Sequence, residues 1–249
     1  MKFLNLPLLL KMVLTLLIFF SCEKEDNDPA GLKGELFGKV ETFDEFGYPL
    51  PDHSGVKVTI EGTDPLLETV TDPSGNYSFE ELKTGTYHLI FSKENFQTRK
   101  IFSYQFIGGS VPTYFNTLIY LSEVSSTEIE QFSISVTDEN NPDTLKYTTV
   151  EIEYVSSPSS TKEEPRRLQV YLSSSIDVSC NNYEYRFNVG TVGSPEFIKL
   201  NKLKSNTTYY AIMYPTPGFC NPYFDPFKEE YNYSCYGTPT DVISFKTPN

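Results

Sequence analysis

The sequence predicts an all-β protein made of two consecutive antiparallel Greek-key β-sandwich domains. Apolar and polar residues alternate in short runs, and turn residues recur between them at intervals of about 8–12 positions. The chain contains 18 Tyr and 19 Phe but no Trp, a composition that favours strands. After the N-terminal leader no segment carries the apolar stripe of a helix. Strands packed face to face are therefore expected throughout.

Residues 1–21 have the features of a signal peptide. Lys2 and Lys11 precede an apolar run over residues 12–20, and Ser21 is a small residue at the expected cleavage site. The run is too short to span a membrane as a helix. We therefore expect export of the chain.

Cys22 follows this leader and precedes an acidic stretch, so that residues 22–32 are predicted to form an acidic tether. The approach through Phe20 to Cys22 resembles the lipobox of bacterial lipoproteins, in the looser form common in Bacteroidota. The resemblance implies that Cys22 is the lipidated first residue of the mature chain. The acidic stretch is similar to the signal that directs such lipoproteins to the cell surface. Secretion with an unmodified cysteine remains the alternative.

The net charge of the chain is −13, and the leader contributes two lysines and no acids. Removing the leader therefore makes the chain more acidic. Such a chain is not expected to bind nucleic acid, which selects basic surfaces. Cation binding or solubility at a crowded surface fits the charge better.

The predicted first sandwich occupies residues 33–122. Alternation predicts strands near 36–40, 56–60, 77–79, 87–91 and 118–120. Between two of them, Asp72, Pro73 and Gly75 have the residue types of a tight turn. The ordered series Gly38–Val40, Gly47–Leu50, Val56–Ile60, Thr71–Phe79 and Leu82–Tyr87 resembles the carboxypeptidase regulatory-like domain. That resemblance implies a transthyretin-like sandwich.

The predicted second sandwich occupies residues 127–249, after a polar linker at Ser122–Glu128. Its seven strand-like runs are Phe132–Val136, Thr148–Val155, Leu168–Leu172, Tyr183–Val189, Phe197–Leu200, Thr207–Tyr214 and Val242–Phe245. Leu203–Ala211 resembles the E–F corner of a fibronectin type III domain, with Tyr209 at the tyrosine corner. Ser244–Pro248 is similar to the last strand of such domains. The resemblance implies an immunoglobulin-like or fibronectin III-like sandwich.

The residues give no catalytic site, no metal site and no cofactor motif. His53 and His88 begin neither HxxE nor HExxH, and no G-x-S-x-G elbow or phosphate loop occurs. A pair of carboxylates, as in a glycosidase, stays open because spacing in sequence cannot test it. Asp138–Asp143 is interpreted as a solvated turn rather than a calcium loop. Residues 143–145 resemble a short O-glycosylation motif of Bacteroidota.

Besides Cys22 the chain has Cys180, Cys220 and Cys235. Export favours one disulfide and one thiol, and Cys220 and Cys235 are nearest in sequence, although sequence does not decide the pairing. A zinc site is the alternative, but no CxxC spacing supports it.

The long segment 214–240 between the last two predicted strands is the candidate binding loop, called here the aromatic loop. A loop of this length indicates function or disorder, and its ring content argues against disorder. Its rings could contact a glycan or a protein, or pack as a second small core. The candidates are Tyr214, Phe219, Tyr223, Phe224, Phe227, Tyr231, Tyr233 and Tyr236.

These features predict a lipid-anchored outer-membrane lipoprotein, held to the membrane by its N-terminal anchor. It is expected at the cell surface, and a position facing the periplasm is the alternative. Its expected role is a non-catalytic binding or adhesion module, accessory to glycan capture, with a glycan or a surface protein as partner. A structural spacer or subunit of a surface assembly is the first alternative. A carbohydrate-active enzyme is the second.

Overall fold

The computed structural model describes residues 31–137, 147–190 and 195–248. Its regular structure within these ranges is β, with no α-helix. None of the described segments forms a helix long and apolar enough to cross a membrane. Cys22, the leader, nearly all of the tether and the motifs at 138–145 lie outside the described residues.

The first half of the chain folds into a sandwich of two sheets. One sheet has the order β4-β1-β7, with β8 also paired to β1, and the other has the order β3-β2-β5-β6. Strand β1 pairs antiparallel with β4 but parallel with β7 and β8. The strands are β1 Lys33–Phe43, β2 Lys57–Glu61, β3 Leu67–Val70, β4 Asn76–Lys83, β5 Gly85–Ser92, β6 Arg99–Phe106, β7 Thr113–Tyr114 and β8 Ile119–Ser122.

The alternating apolar residues of these strands meet between the two sheets. Leu36 and Val40 of β1 are fully buried against Val58 of β2 and Phe91 of β5. Burying side chains of this size stabilises the fold by about 1.5–3 kcal/mol each. The period-two pattern therefore specifies which face of each strand packs inward.

The predicted turn before β4 has the expected geometry. The Asp72 carboxylate accepts a hydrogen bond from the Asn76 backbone at 2.9 Å, and the Gly75 N–H donates to the Asp72 carbonyl at 2.9 Å. Gly75 has φ of +85°, and a Cβ there would lie 2.0 Å from the Val40 carbonyl oxygen. Only glycine fits, because both the conformation and the contact with β1 exclude a side chain.

Strands β3, β6 and β7 were not predicted. In β6 the pairing with β5 shifts register between Tyr87 and Leu89, and Ser103 has a positive φ of 54°. A bulge of this kind breaks strict alternation, so that no clean period-two signal remains in the sequence.

The second half of the chain forms another sandwich, and each of its seven predicted runs overlaps a strand. The two sheets have the orders β13-β10-β9 and β12-β11-β14-β17. The strands are β9 Glu128–Val136, β10 Tyr147–Ser157, β11 Arg167–Ser173, β12 Tyr185–Val189, β13 Glu196–Asn201, β14 Thr208–Thr216, β15 Tyr223–Asp225, β16 Glu230–Asn232 and β17 Ile243–Lys246. A core that includes Ile152, Val170, Leu172 and Met213 fills the space between the sheets.

Tyr209 lies at the start of β14. Its side chain is fully buried, and its hydroxyl accepts a hydrogen bond from the Lys204 backbone at 3.1 Å. Its ring stacks on Phe245 of β17 with centroids 6.0 Å apart. The phenol thereby ties the turn before β14 to the last strand.

The segment predicted as a polar linker connects β8 to β9, and part of it is buried. Ser125 and Thr127 are buried. The Ser125 N–H donates to the Cys235 carbonyl at 3.4 Å, and the Ser126 N–H donates to Glu45 at 2.8 Å. The polar residues of this segment therefore contact both halves of the molecule.

Candidate functional site

The aromatic loop contains a small hairpin, β15 and β16, closed by a disulfide. Cys220 bonds to Cys235 with Cα atoms 5.8 Å apart, and Cys180 is a free thiol. Cross-linking a loop of 15 residues removes much of its freedom in the unfolded chain. The loop is thus an ordered structure with two sides.

One side of the loop packs on the first sandwich through its rings. Phe219 lies between Phe43 and Tyr120, with ring centroids 5.3 and 5.7 Å away. Tyr223 lies 6.0 Å from Phe102 of β6. Such tilted and edge contacts are the preferred arrangement of aromatic pairs. These two predicted binding residues therefore have a packing role.

Hydrogen bonds reinforce this contact. The Arg99 guanidinium donates to the Pro222 carbonyl at 2.7 Å, and the Asn221 N–H donates to the Gln97 side chain at 3.2 Å. The Ser234 hydroxyl accepts from the Thr98 N–H at 2.9 Å and donates to its carbonyl at 3.0 Å. The loop is held to β6 and the segment before it along its length.

A charged pair completes the contact between the two sandwiches. The Arg166 guanidinium lies 2.8 Å from the Glu45 carboxylate, and their side chains are 6% and 15% exposed. The Ser126 hydroxyl also donates to Glu45, and Arg166 lies over the Phe46 ring at 5.0 Å. Burial raises the pKa of Glu45, but the hydrogen bonds from Ser126 and the charge of Arg166 outweigh it and lower the pKa below its usual value of 4.5.

The other side of the loop packs on the outer face of the second sandwich. Tyr171 of β11 points away from the main core, yet it is fully buried in a third cluster that includes Tyr214 and Tyr236. The Tyr171 and Tyr236 hydroxyls both donate to the Gln169 side-chain oxygen. Burial raises the pKa of Tyr236 to about 12, and it raises that of Tyr171 further. Both phenols are therefore neutral at physiological pH.

A cleft of about 460 Å³ lies between this side of the loop and the outer faces of β11 and β12. A volume of this size suits a small ligand. We call it the loop cleft. Its lining residues are Arg167, Gln169, Arg186, Asn188, Val189, Thr216, Pro217, Cys220, Pro222, Tyr233 and Tyr236.

The polar residues of the loop cleft come from alternate positions of two paired strands. Gln169 lies opposite Asn188, and their side chains are hydrogen bonded at 2.8 Å. Arg167 precedes this pair on β11, and Arg186 precedes it on β12. Because residues two apart share a face, all four side chains project from one surface.

Sequence reasoning missed these four residues. The available signal was polar residues at alternate positions of two strand-like runs beside a long ring-rich loop. Polar side chains on the outer face of a sandwich are ordinary, so the signal becomes specific only when the loop is placed over them.

The eight predicted ring residues do not form one surface. Tyr233 and Tyr236 stack 4.9 Å apart and line the loop cleft, and Tyr214 packs in the third cluster. Phe224, Phe227 and Tyr231 are exposed by 47%, 74% and 50%. The alternative of a small core thus describes several of the rings, and ligand binding by the rest stays a prediction.

The loop cleft lacks the residues of the hydrolytic mechanisms considered for this chain. Among the residues that line it there is no Asp, Glu or His. Within the described residues no three side chains of His, Cys, Asp and Glu form a group that could hold a metal ion. The cleft offers guanidinium, amide and phenol groups instead, which suit recognition by hydrogen bonding.

Comparison with protein families identifies part of the first sandwich. Residues 38–113 match the carboxypeptidase regulatory-like domain. This domain is a non-catalytic fold, and no catalytic family is shown for the chain. The match confirms the resemblance that the turn series between Gly38 and Tyr87 carries. A comparison with curated proteins gave no match.

Solved structures give distant likenesses. A candidate carbohydrate-binding protein of Bacteroides uniformis is 14% identical, with 87% of this chain and 100% of that chain covered and a TM-score of 0.28. A DUF3823 family protein of Parabacteroides merdae is 15% identical, with coverages of 86% and 99% and a TM-score of 0.26. The FN1–FN3 domains of chicken CNTN1 are 14% identical, with coverages of 88% and 66% and a TM-score of 0.31. Scores this low carry no conclusion about function.

Proposed function

We propose that the chain is a surface-displayed, non-catalytic binding module that captures a glycan in the loop cleft. The observation that carries the proposal is the cleft itself, an ordered space with convergent guanidinium and amide groups on one wall and two tyrosines on the other. Aromatic rings offer flat apolar surface, and amides offer directional hydrogen bonds, which together suit a sugar ring with hydroxyls.

The lining of the loop cleft favours binding over catalysis. Glycoside hydrolysis in its usual form needs two carboxyl groups about 5–10 Å apart on either side of the scissile bond. The loop cleft has none among its lining residues. A ligand held there would therefore be retained rather than cleaved.

We further propose that the second sandwich is fibronectin III-like. Strands β9, β10 and β13 form one sheet, and β11, β12, β14 and β17 form the other, as in a seven-stranded sandwich of this class. The buried hydroxyl of Tyr209 bonded to the upstream backbone supports the same assignment.

The proposal that the chain is displayed at the membrane depends on Cys22 and on the signal-peptide features of residues 1–21. Stable anchoring needs more than one acyl chain, so a lipoprotein would carry its lipids together on this residue. Replacing Cys22 with Ser should release the protein in soluble form. If Cys22→Ser stays in the membrane fraction, the anchor lies elsewhere.

Binding is tested by a glycan array with the soluble chain that starts at residue 23. In Asn188→Trp a bulky ring fills the loop cleft from a strand position that tolerates it, and binding should be lost. Lys199→Trp is the matched control, because Lys199 is exposed on β13 in the opposite sheet. Equal binding by both variants would remove the loop cleft as the site.

The structural spacer remains the second candidate, and the contact between the sandwiches favours it specifically. Ring contacts, backbone hydrogen bonds and the pair of Glu45 with Arg166 fix the two halves at one angle. A spacer needs such rigidity, whereas a binding module does not. A chain that binds no glycan on the array, yet stays rigid in solution scattering, would be assigned to this role.

A further inference from the structure

We propose that the ligand of the loop cleft is an acidic glycan, and that Arg167 and Arg186 bind its carboxylates. The inference rests on the proposed function, since it names the class of glycan that the loop cleft selects. Four observations carry it: the lack of ion pairs at both arginines, the direction of the hydrogen bonds in the cleft, the spacing of the arginines along the sheet, and the tyrosine wall.

Among the residues that the structure describes, neither arginine has an acidic partner. The ion pairs among the described residues include Arg166 with Glu45 and Glu164, but none includes Arg167 or Arg186. The Arg167 guanidinium donates a long hydrogen bond of 3.4 Å to the Gly218 carbonyl, and the Arg186 guanidinium lies over the Tyr183 ring. The chain has 33 acidic residues, so two unpaired guanidinium groups in one cleft mark a site for an external anion.

The hydrogen bonds in the loop cleft leave donors facing the ligand. The Gln169 oxygen already accepts from the hydroxyls of Tyr171 and Tyr236, and the Asn188 oxygen accepts from the Gln169 amide at 2.8 Å. On the strand wall the donors that remain are the amide N–H groups of Asn188, the second amide N–H of Gln169 and the guanidinium groups. A wall of donors favours a ligand rich in acceptors, which a carboxylate provides and a neutral hydroxyl provides only in part.

The spacing of the arginines favours a chain with more than one acidic unit. Arg186 lies opposite Tyr171, four residues along β11 from Arg167. Four residues of strand span about 13 Å. Two guanidinium groups separated in this way reach different anions more readily than they share one. The amide pair of Gln169 and Asn188 lies between them.

The tyrosines favour a sugar over a free anion or a peptide. Tyr233 and Tyr236 form the wall that faces the arginines, and their rings are stacked 4.9 Å apart with an angle of 25°. Such a wall contributes apolar contact with the C–H face of a sugar ring, which an inorganic anion lacks. An oligouronide combines such faces with carboxylates at regular intervals.

Calorimetry with the soluble chain from residue 23 tests the inference, with trigalacturonate as the acidic probe and its methyl ester as the neutral probe. Trigalacturonate should bind, and the ester should bind at least about tenfold more weakly. Arg167→Gln and Arg186→Gln should each weaken trigalacturonate binding about tenfold, and added salt should weaken it further. Lys246→Gln is the charge-matched control, because Lys246 is exposed on β17 beside the start of β14, far from Arg167.

The outcomes separate this inference from the proposed function. If the ester binds as well as trigalacturonate, the loop cleft still binds a glycan but not through charge, so the inference fails alone. If neither probe binds while the array of the preceding test detects neutral glycans, it fails in the same way. If no glycan binds, both fail. Binding of triglutamate or of sulfate in place of trigalacturonate would assign the cleft to acidic peptides or free anions and overturn the inference.

Discussion

Replacing Glu45 with Gln should loosen the contact between the two sandwiches. Both carboxylate oxygens of Glu45 accept hydrogen bonds, one of them from the Arg166 guanidinium at 2.8 Å and the other from the Ser126 N–H at 2.8 Å. A glutamine has one oxygen and one NH₂ group in place of the two carboxylate oxygens. Whichever way the amide turns, its NH₂ group faces a donor.

The expected cost follows from what the substitution leaves behind. Arg166 is 6% exposed, and the acidic partner left to it would be Glu164, at 3.6 Å and with a side chain that is 58% exposed. Removing one partner of a buried ion pair costs about 3–5 kcal/mol. We expect the lower end of this range, because the Glu164 carboxylate compensates part of the charge of Arg166. The midpoint of thermal unfolding should fall by about 6–12 °C for a chain of this size.

Urea denaturation over a range of pH provides the assay. Because the pKa of Glu45 is lowered in the folded chain, its stabilising effect is complete above the usual value of 4.5 and is lost as the pH falls through the lowered pKa. The protonated carboxyl resembles the amide of glutamine. The difference in unfolding free energy between wild type and Glu45→Gln should therefore shrink from neutral pH to about pH 3.

Glu164→Gln is the control, because it removes a carboxylate from the same arginine at an exposed position. Exposed pairs contribute about 0–1 kcal/mol. A loss below about 1 kcal/mol for Glu45→Gln, or a loss equal to that of Glu164→Gln, would refute the role of the buried pair in joining the sandwiches.

Three further substitutions test the packing of the fold. Gly75→Ala should lower the free energy of unfolding by at least about 3 kcal/mol in urea denaturation, because the cost of a positive φ adds to the cost of an overlap with β1. Gly62 is the control, because it has a similar φ of +83° but open space around it, so Gly62→Ala should cost about 1 kcal/mol. Replacing Cys220 and Cys235 together with Ala should lower stability by about 3 kcal/mol, and a reducing agent should reproduce this loss in the wild type. Tyr209→Phe leaves the Lys204 N–H without its partner and should cost about 1–2 kcal/mol by thermal unfolding. For each of these three substitutions, a smaller loss of stability would show that the contact it removes is dispensable.

Local patterns in the sequence predict most of this fold because strand faces and turns depend on neighbouring residues. Leu36 and Val40 alternate with less buried residues along β1, and Asp72 and Gly75 specify a turn. Both signals act within a few positions, and the structure has these residues in the expected conformations. The same reasoning fails for β6, where the register shift beside Ser103 depends on the pairing with β5. That pairing is a tertiary feature.

The candidate site was less predictable for the same reason. Phe219 and Tyr236 lie in one ring-rich loop, and no local signal shows that one faces Phe43 and the other faces Tyr171. Their environments are set by residues about 65 to 180 positions away in the chain, as the positions of the partners show. Composition therefore predicted an ordered, ring-rich loop, but not which rings would remain available.

The aromatic loop links the binding and spacer hypotheses physically. Its Phe219 side contacts the first sandwich, its Tyr236 side forms a wall of the loop cleft, and the disulfide between Cys220 and Cys235 holds the two sides together. A change at the contact with the first sandwich can therefore alter the shape of the cleft. Arg167 donates to the Gly218 carbonyl, and the Gly218 N–H donates to the Glu45 carbonyl, so a change at Arg167 can reach that contact. Arg186 projects from β12 and lies over Tyr183, so Arg186 is the cleaner test of binding and Glu45 is the cleaner test of rigidity.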